Sequence, residues 1–318
     1  NSRGVVSTCS YEARKFGVHS GMSSYQAWNL CPDAIFVDHH FDLYIQVSKQ
    51  IREIFYKWTD IVEPMSLDEA YLDVAENKLG EEDPVKIAQL IKEEVFVKTQ
   101  LTCSAGVSYN KFMAKIGSDL NKPDGLAFIP PDKAQEVLFA LPIEKFHGIG
   151  KVTAARMKKM GIKNGADLYK LELKDLLMYF GKIGLFYYYV VRGIDNREIV
   201  TNFEPKTLSC ETTFDKDIDN LEELLTVLHH LSERLSERLQ RKGIRGNSLT
   251  LKLKYENFQL ITRSSQMCNN TYSCEDLYKY GEQLLIANWD SSRKVRLLGL
   301  GIGNLDNSTT NEQLLLPL

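Results

Sequence analysis

Asp68 and Glu69 are adjacent acidic residues within the stretch PMSLDEAYLDV, residues 64–74. β-Prone residues stand on both sides of the pair, which predicts a hairpin turn or a strand end. Two neighbouring carboxylates repel each other, so a positive partner is expected beside them. A hard divalent cation such as Mg²⁺ takes oxygen ligands and keeps positions open for substrate phosphates. An isolated pair equally suits a polar hairpin tip, so the other motifs must decide.

A second candidate site lies near the start of the chain. A short strand leads into a helical turn that carries Tyr11 and Arg14, which are three residues apart and therefore share one helix face. An aromatic ring beside a guanidinium suits a nucleoside triphosphate, although an ordinary surface helix fits the same residues. Lys122 lies in the turn NKPDG, residues 121–125, where it can either reach a phosphate or remain a solvated loop lysine.

A third motif, residues 146–162, contains a Gly-x-Gly turn followed by a basic helix. Gly148 and Gly150 open the helix, whose free N–H groups can hold a DNA phosphate without reading sequence, and Lys151 and Thr153 can add contacts. Residues 141–200 hold eleven Lys and Arg against six acids, a local excess of five positive charges. This pattern predicts a helix-hairpin-helix, with a purely structural turn as the alternative.

Length and composition limit the class of protein. The chain has 318 residues, which favours two or more domains, and a net charge of −3, which excludes a uniformly basic nucleic-acid binder. Six cysteines without CxxC spacing argue against a zinc finger or a disulfide framework. We find neither a secretory leader nor an apolar run long enough to cross a membrane, and we expect a cytoplasmic protein.

The first half of the chain predicts an α+β domain. A helix over 41–58 precedes strands near 61–66 and 70–75, a helix that begins at Pro84, and a strand over 101–107. This order is the ferredoxin-like βαββαβ pattern without its first strand. The absent strand belongs in the middle of the sheet beside the acidic hairpin, where a further metal-binding carboxylate is expected.

The second half predicts a complete βαββαβ domain. It follows a linker at 203–207 and contains strands at 208–214, 248–256, 258–264 and 295–303 with helices at 221–242 and 275–289. Along the strand that begins at Ser248, leucines alternate with polar residues that include Lys252 and Lys254. One face is therefore expected to be buried and the other to be basic, either along a DNA backbone or simply solvated.

Several of these stretches together resemble the Y-family DNA polymerases. The motifs are YEARKFG at 11–17, SLDEAYLD at 66–73, SYNKFMAK at 108–115, KPDG at 122–125, GIG at 148–150 and QL at 313–314. Their order along the chain makes the resemblance more specific than any one motif. The resemblance implies fingers at 1–38, a palm at 39–130, a helical thumb at 131–202, a little finger at 208–305 and a tail at 306–318.

The resemblance also implies the site chemistry. Asp68 would bind two Mg²⁺ ions and Glu69 would complete the acidic centre, while the incoming deoxynucleoside triphosphate would contact Ser7, Thr8, Tyr11, Arg14 and Lys122. The partners implied are primer-template DNA and a sliding β-clamp that takes the tail through Gln313, Leu314, Leu316 and Leu318. The enzyme implied is a monomeric, error-prone translesion polymerase without proofreading.

One departure from the family pattern affects activity. The family begins with a strand that supplies the first metal-binding Asp and then an aromatic residue that excludes ribonucleotides, whereas this sequence starts beyond both. We therefore expect an N-terminally truncated molecule with little polymerase activity. A non-catalytic module that binds DNA and the clamp is the alternative function.

Overall fold

The computed structural model describes residues 3–202 and 204–306. It divides into two compact units, one formed by Asp38–Phe203 and the other by Asn1–Val37 together with Glu204–Leu318. Every helix among the described residues is too short or too polar to cross a lipid bilayer. All six cysteines are free thiols.

The unit Asp38–Phe203 begins with the predicted α, β, β, α, β order. Its elements are α3 (Phe41–Trp58), β1 (Val62–Pro64), β2 (Ala70–Leu72), α4 (Pro84–Thr99), β3 (Ala105–Ser108), α5 (Lys111–Leu120) and β4 (Leu126–Ile129). Strand β1 pairs with β2 in antiparallel fashion and β3 pairs with β4 in parallel, as two separate two-stranded sheets within the described residues. Strand β4 was not predicted, because LAFI is too short to show alternation.

Helices α3 and α4 pack together beside these strands. Ile54 and Trp58 of α3 share a buried cluster with Ile87, Ile91 and Val95 of α4. Spacings of three and four residues place these side chains on one face of each helix. The Asp83 carboxylate accepts a hydrogen bond from the Val85 N–H at 2.8 Å, and Pro84 occupies the first helical turn, so α4 begins where its capping residues predict.

The rest of this unit is helical. It contains α6 (Pro131–Ala140), α7 (Lys151–Lys159), α8 (Gly165–Tyr169), α9 (Leu173–Phe180) and α10 (Ile183–Val190). Their core includes Phe146, Met157 and Tyr187, and it continues into Phe112 and Met113 of α5. Helix α5 is therefore held by the same apolar cluster as the helical region, which fixes the side chains on its polar face.

The other unit begins with α1 (Tyr11–Lys15) and α2 (Ser24–Leu30) and continues after Glu204 with the predicted βαββαβ order. Its later elements are β5 (Thr207–Ile218), α11 (Leu221–Lys242), β6 (Gly246–Tyr255), β7 (Leu260–Thr271), α12 (Cys274–Asn288) and β8 (Val295–Gly303). The sheet has the order β5-β8-β6-β7 and is antiparallel throughout. Strand β7 extends beyond the predicted end at 264, because β6 offers backbone partners as far as Gly246.

Helix α11 covers one face of this sheet with a buried leucine stripe. The stripe consists of Leu224, Leu228, Leu231, Leu235 and Leu239. The helix starts where the Asn220 side chain accepts a hydrogen bond from the Glu223 N–H at 3.0 Å, and it ends at Gly243 with φ +65°. The predicted members Leu221 and Leu225 are only partly buried, at the edge of the core.

Candidate active site

Asp68 and Glu69 lie at the tip of the β1-β2 hairpin. Pro64 pairs with Ala70, and the Met65 N–H donates to the Glu69 carbonyl at 2.8 Å, which closes a tight turn. The Ser66 hydroxyl donates to Asp68 Oδ1 at 2.6 Å and accepts from the Asp68 N–H at 3.2 Å. Both acidic residues are exposed, so their carboxylates are accessible to an ion or a ligand.

Ion pairs from neighbouring elements hold this hairpin. Lys111 Nζ lies 2.5 Å from Glu63 Oε2 and also donates to the Glu198 carbonyl at 3.0 Å. The Val200 N–H donates to the same Glu63 oxygen at 2.7 Å. Burial favours a higher pKa for Glu63, but the Lys111 ammonium and the Val200 N–H more than offset it, so the pKa lies below its usual value. Glu63 is therefore charged at neutral pH.

Lys115 is a candidate site residue that the sequence predictions did not include. Its Nζ lies 2.8 Å from Glu69 Oε1 and 3.5 Å from Asp119 Oδ2, while Lys122 Nζ lies 2.6 Å from Asp119 Oδ1. Lys115 and Asp119 are four residues apart within α5, and this helical spacing was the available signal. The four side chains form a chain of alternating charge that extends from the acidic hairpin to the loop after α5.

Electrostatics favour the charged forms of Lys115 and Asp119, the two middle members of this group. Burial opposes the charged form of Lys115, but the hydrogen bond to Glu69 and the charges of Glu69 and Asp119 outweigh it and raise the pKa of the ammonium. Burial likewise opposes ionisation of Asp119, and the two lysines outweigh it and lower its pKa. His147 is half-buried, and burial followed by the charges of Lys115 and Arg197 lowers the pKa of its imidazole.

In the unit that contains α1, the predicted nucleotide-binding residues form a small exposed group. The Ser10 hydroxyl caps α1 by accepting from the Ala13 N–H at 3.2 Å. The Arg14 guanidinium carbon lies 5.2 Å from the centre of the Tyr11 ring, so the two side chains share a face as predicted. Tyr11 is exposed, and so are Ser7 and Thr8 in the segment before α1.

The Gly-x-Gly turn forms the start of α7. Gly148 has φ +91°, a conformation that favours glycine, and Gly150 is the residue before the helix. The first N–H groups of α7 have no acceptor four residues earlier, and Lys151 beside them is exposed. Thr153 is half-buried, so it is less accessible than Lys151.

Lys252 and Lys254 lie on the polar face of β6, opposite the buried Leu249, Leu251 and Leu253. The alternation predicted for this strand is therefore present. Lys252 Nζ lies 2.6 Å from Glu211 Oε2 of β5, across the intervening Gly299 of β8. The tail residues Gln313, Leu314, Leu316 and Leu318 lie outside the described residues.

The acidic hairpin has the donor type that Mg²⁺ requires. Mg²⁺ binds oxygen ligands, commonly one or two carboxylates completed by water and substrate phosphates. Asp68 and Glu69 supply two exposed carboxylates on one tight turn, and Lys115 supplies a nearby positive charge. These residues therefore fit an ion that also binds a triphosphate.

Comparison with known proteins identifies the family. Models of the impB/mucB/samB family match residues 1–119 and, for its C-terminal domain, residues 205–316, while a model of the IMS family HHH motif matches residues 131–162. The chain is 46% identical over 301 residues to DNA polymerase IV of Lactococcus lactis subsp. cremoris (strain SK11), covering 94% of this chain and 83% of that protein. The chain belongs to the Y family of DNA polymerases.

Solved structures of Y-family polymerases support the same fold. A Y-family DNA polymerase chimera of Dbh and Dpo4 is 28% identical, with a TM-score of 0.84 and coverage of 96% of this chain and 88% of the chimera. An insertion ternary complex of Dbh DNA polymerase is 29% identical, with a TM-score of 0.62 and coverage of 96% and 88%. The predicted family, the α+β multidomain fold and the helix-hairpin-helix are confirmed, and this Y-family chain is a DNA-directed DNA polymerase.

Proposed function

We propose that this Y-family polymerase extends a primer by metal-dependent nucleotidyl transfer at Asp68 and Glu69. The observation that carries the proposal is the contact of Lys115 Nζ with Glu69 Oε1 at 2.8 Å, next to the exposed Asp68 carboxylate. The site then contains carboxylates that can bind a cation and an ammonium that can bind an anion. Phosphoryl transfer requires both kinds of group.

Asp68 and Glu69 would hold two Mg²⁺ ions. When bound, such ions lower the pKa of the primer 3′-hydroxyl and neutralise charge on the triphosphate. Lys115 and Lys122 pair with Glu69 and Asp119 in the structure. They are proposed to release these carboxylates and to bind phosphate oxygens of the substrate instead. Tyr11 is proposed to contact the base or sugar, and Arg14 is proposed to contact the phosphates. Ser7 and Thr8 lie close to them in sequence and are proposed to contact the same nucleotide.

Primer-template DNA is the proposed macromolecular substrate. The solved Dbh structure is an insertion ternary complex, which supports binding of DNA and an incoming nucleotide by the present chain as well. Gly148, Gly150 and Lys151 at the start of α7 are proposed to bind a DNA phosphate through backbone N–H groups and one ammonium. Lys252 and Lys254 are proposed to contact the DNA backbone from the sheet of the other unit.

Finer points of the function are also proposed. Gln313, Leu314, Leu316 and Leu318 would bind a sliding β-clamp, which raises the local concentration of enzyme at a primer end. The polymerase would act as a monomer on damaged templates, without proofreading.

Primer extension with Mg²⁺ tests the catalytic assignment. We expect Asp68→Asn and Glu69→Gln each to lower the extension rate at least about 100-fold, while DNA affinity stays within about twofold of the parent. Asp73→Asn is the matched control, because this nearby acid accepts from the Ala75 N–H within its own loop. Extension at the parent rate by both variants would contradict the assignment, whereas absence of extension by the parent, with DNA binding retained, would support a DNA- and clamp-binding module.

A further inference from the structure

A group of metal-ligand side chains lies on the outer surface of α11, in the unit that contains the βαββαβ domain. His229 Nδ1 lies 3.6 Å from Glu233 Oε1, and His230 Nδ1 lies 3.1 Å from Glu233 Oε2. One ligand atom from each of the three residues lies within 4.8 Å of the others. The three side chains are exposed, so a dissolved ion can reach them without any opening of the structure.

The helix explains why these side chains converge. Glu233 follows His229 by four residues and His230 by three, and both spacings bring side chains together on a helix surface. The His229 ring also packs edge-on against Tyr278 of α12, with ring centres 5.2 Å apart, which restricts its orientation. Glu233 thus presents one carboxylate oxygen to each imidazole.

The separations suit a tetrahedral transition metal. Bonds from Zn²⁺ to imidazole nitrogen and carboxylate oxygen measure about 2.0–2.2 Å, so tetrahedral ligands lie about 3.3–3.6 Å apart. The two nitrogen-to-oxygen separations, each to a different oxygen of Glu233, are 3.6 and 3.1 Å and are close to that edge length. Imidazole donors favour Zn²⁺, Ni²⁺ or Cu²⁺ over Mg²⁺, so this site differs in metal class from the acidic hairpin.

The surroundings also provide further donors. His230 and Glu233 line one shallow pocket together with Arg234, Ser236, Glu237 and Cys274. The negative charge of Glu237 would favour a bound cation, whereas the positive charge of Arg234 would disfavour it. Cys274, at the start of α12, brings a thiol to the same pocket.

We propose that His229, His230 and Glu233 form a binding site for a divalent transition-metal ion such as Zn²⁺, separate from the polymerase metal site. Two imidazoles and one carboxylate leave a fourth position for water or another ligand. Because the site is open and made by a single helix, micromolar rather than nanomolar affinity is expected.

Titration of the full chain with Co²⁺, followed by visible d–d absorption, tests the proposal. An excess of Mg²⁺ is present to occupy oxygen-only sites, and Zn²⁺ is then added to displace Co²⁺. We expect one equivalent of Co²⁺ to bind, and Glu233→Gln and His230→Gln each to weaken binding at least about tenfold. Circular dichroism of each variant verifies the fold, which surface substitutions on α11 should preserve.

Two controls make the result specific. His39→Gln/His40→Gln removes another adjacent histidine pair, which lies just before α3. Asp68→Asn/Glu69→Gln removes the acidic hairpin ligands. Neither double variant should change Co²⁺ affinity. Absence of Co²⁺ binding, unchanged binding by Glu233→Gln and His230→Gln, or loss of binding in either control would overturn the proposal.

Discussion

Lys115 Nζ lies 2.8 Å from Glu69 Oε1, so an ammonium already contacts the acidic hairpin. The same nitrogen lies 3.5 Å from Asp119, whose carboxylate also pairs with Lys122. In a polymerase, the triphosphate brings negative charge and its metal ions bring positive charge. In the proposed mechanism, Lys115 would release Glu69 and bind phosphate while Glu69 binds an ion, so the local charge would stay balanced during binding.

Lys115→Met tests this exchange. The variant keeps the length and apolar stem of the side chain but removes the charge that would bind phosphate. We expect kcat/KM for the incoming nucleotide to fall about 10- to 1000-fold, with much of the effect in KM. Steady-state single-nucleotide insertion measures both constants. Lys57→Met is the control, because Lys57 pairs with Glu94 on the surface of α3 and α4, and insertion should be unchanged.

The pair of Lys111 and Glu63 is expected to stabilise the unit Asp38–Phe203. Their side chains are 9% and 16% exposed, so removing one partner leaves a largely buried charge. We expect Lys111→Met to lower the free energy of unfolding by about 3 kcal/mol, measured by urea denaturation. The double variant Lys111→Met/Glu63→Gln should recover part of the loss. Full stability of the single variant would show that the pair contributes nothing.

Acid should remove the contribution of this pair. The folded-state pKa of Glu63 lies below its ordinary value of about 4.3, so the stabilisation is present above that value and is lost as pH falls through the lower, folded pKa. The difference in unfolding free energy between the parent and Glu63→Gln should be constant from about pH 6 to 8 and should shrink below about pH 4. Denaturation at several pH values measures it, and a difference that grows in acid would contradict the assignment.

Local sequence patterns predicted much of the fold. Helix α3 begins and ends where its apolar spacing predicts, and Asn220 and Gly243 bound α11 as their capping chemistry requires. Strand β4 was not predicted, because its four residues form a strand by pairing with the parallel neighbour β3. Tertiary pairing of this kind leaves little trace in a short segment.

The sequence predicted which residues belong to the candidate site better than it predicted which residues contact each other. Asp68 and Glu69 were found from their adjacency, but the contacts of Lys115 with Glu69 and of Lys252 with Glu211 join residues far apart in sequence. Thr153 looked available for DNA because polar residues often face solvent at a helix start. Its partial burial depends on how the helices of this unit pack together, which the sequence of α7 alone does not encode.

Lys151→Gln tests the proposed phosphate site at α7. Removing one ammonium that neutralises a phosphate should weaken duplex binding and reduce the slope of log K against log salt by about one. Fluorescence anisotropy at several salt concentrations measures both quantities. Lys174→Gln is the control, because this lysine pairs with Glu172 on another helix of the same region, and the slope should not change. An unchanged slope for Lys151→Gln would exclude this lysine as a phosphate contact.

Glu211→Gln should strengthen DNA binding. The Glu211 carboxylate lies 2.6 Å from Lys252 Nζ across Gly299, so it competes with DNA phosphate for that ammonium. The amide keeps the shape of the side chain but removes the competing charge, and we expect affinity for duplex to rise about two- to fivefold with a steeper salt dependence. Glu222→Gln changes net charge equally at the start of α11 and should have a smaller effect. Equal effects of the two variants would mean that net charge alone, and not release of Lys252, controls the affinity.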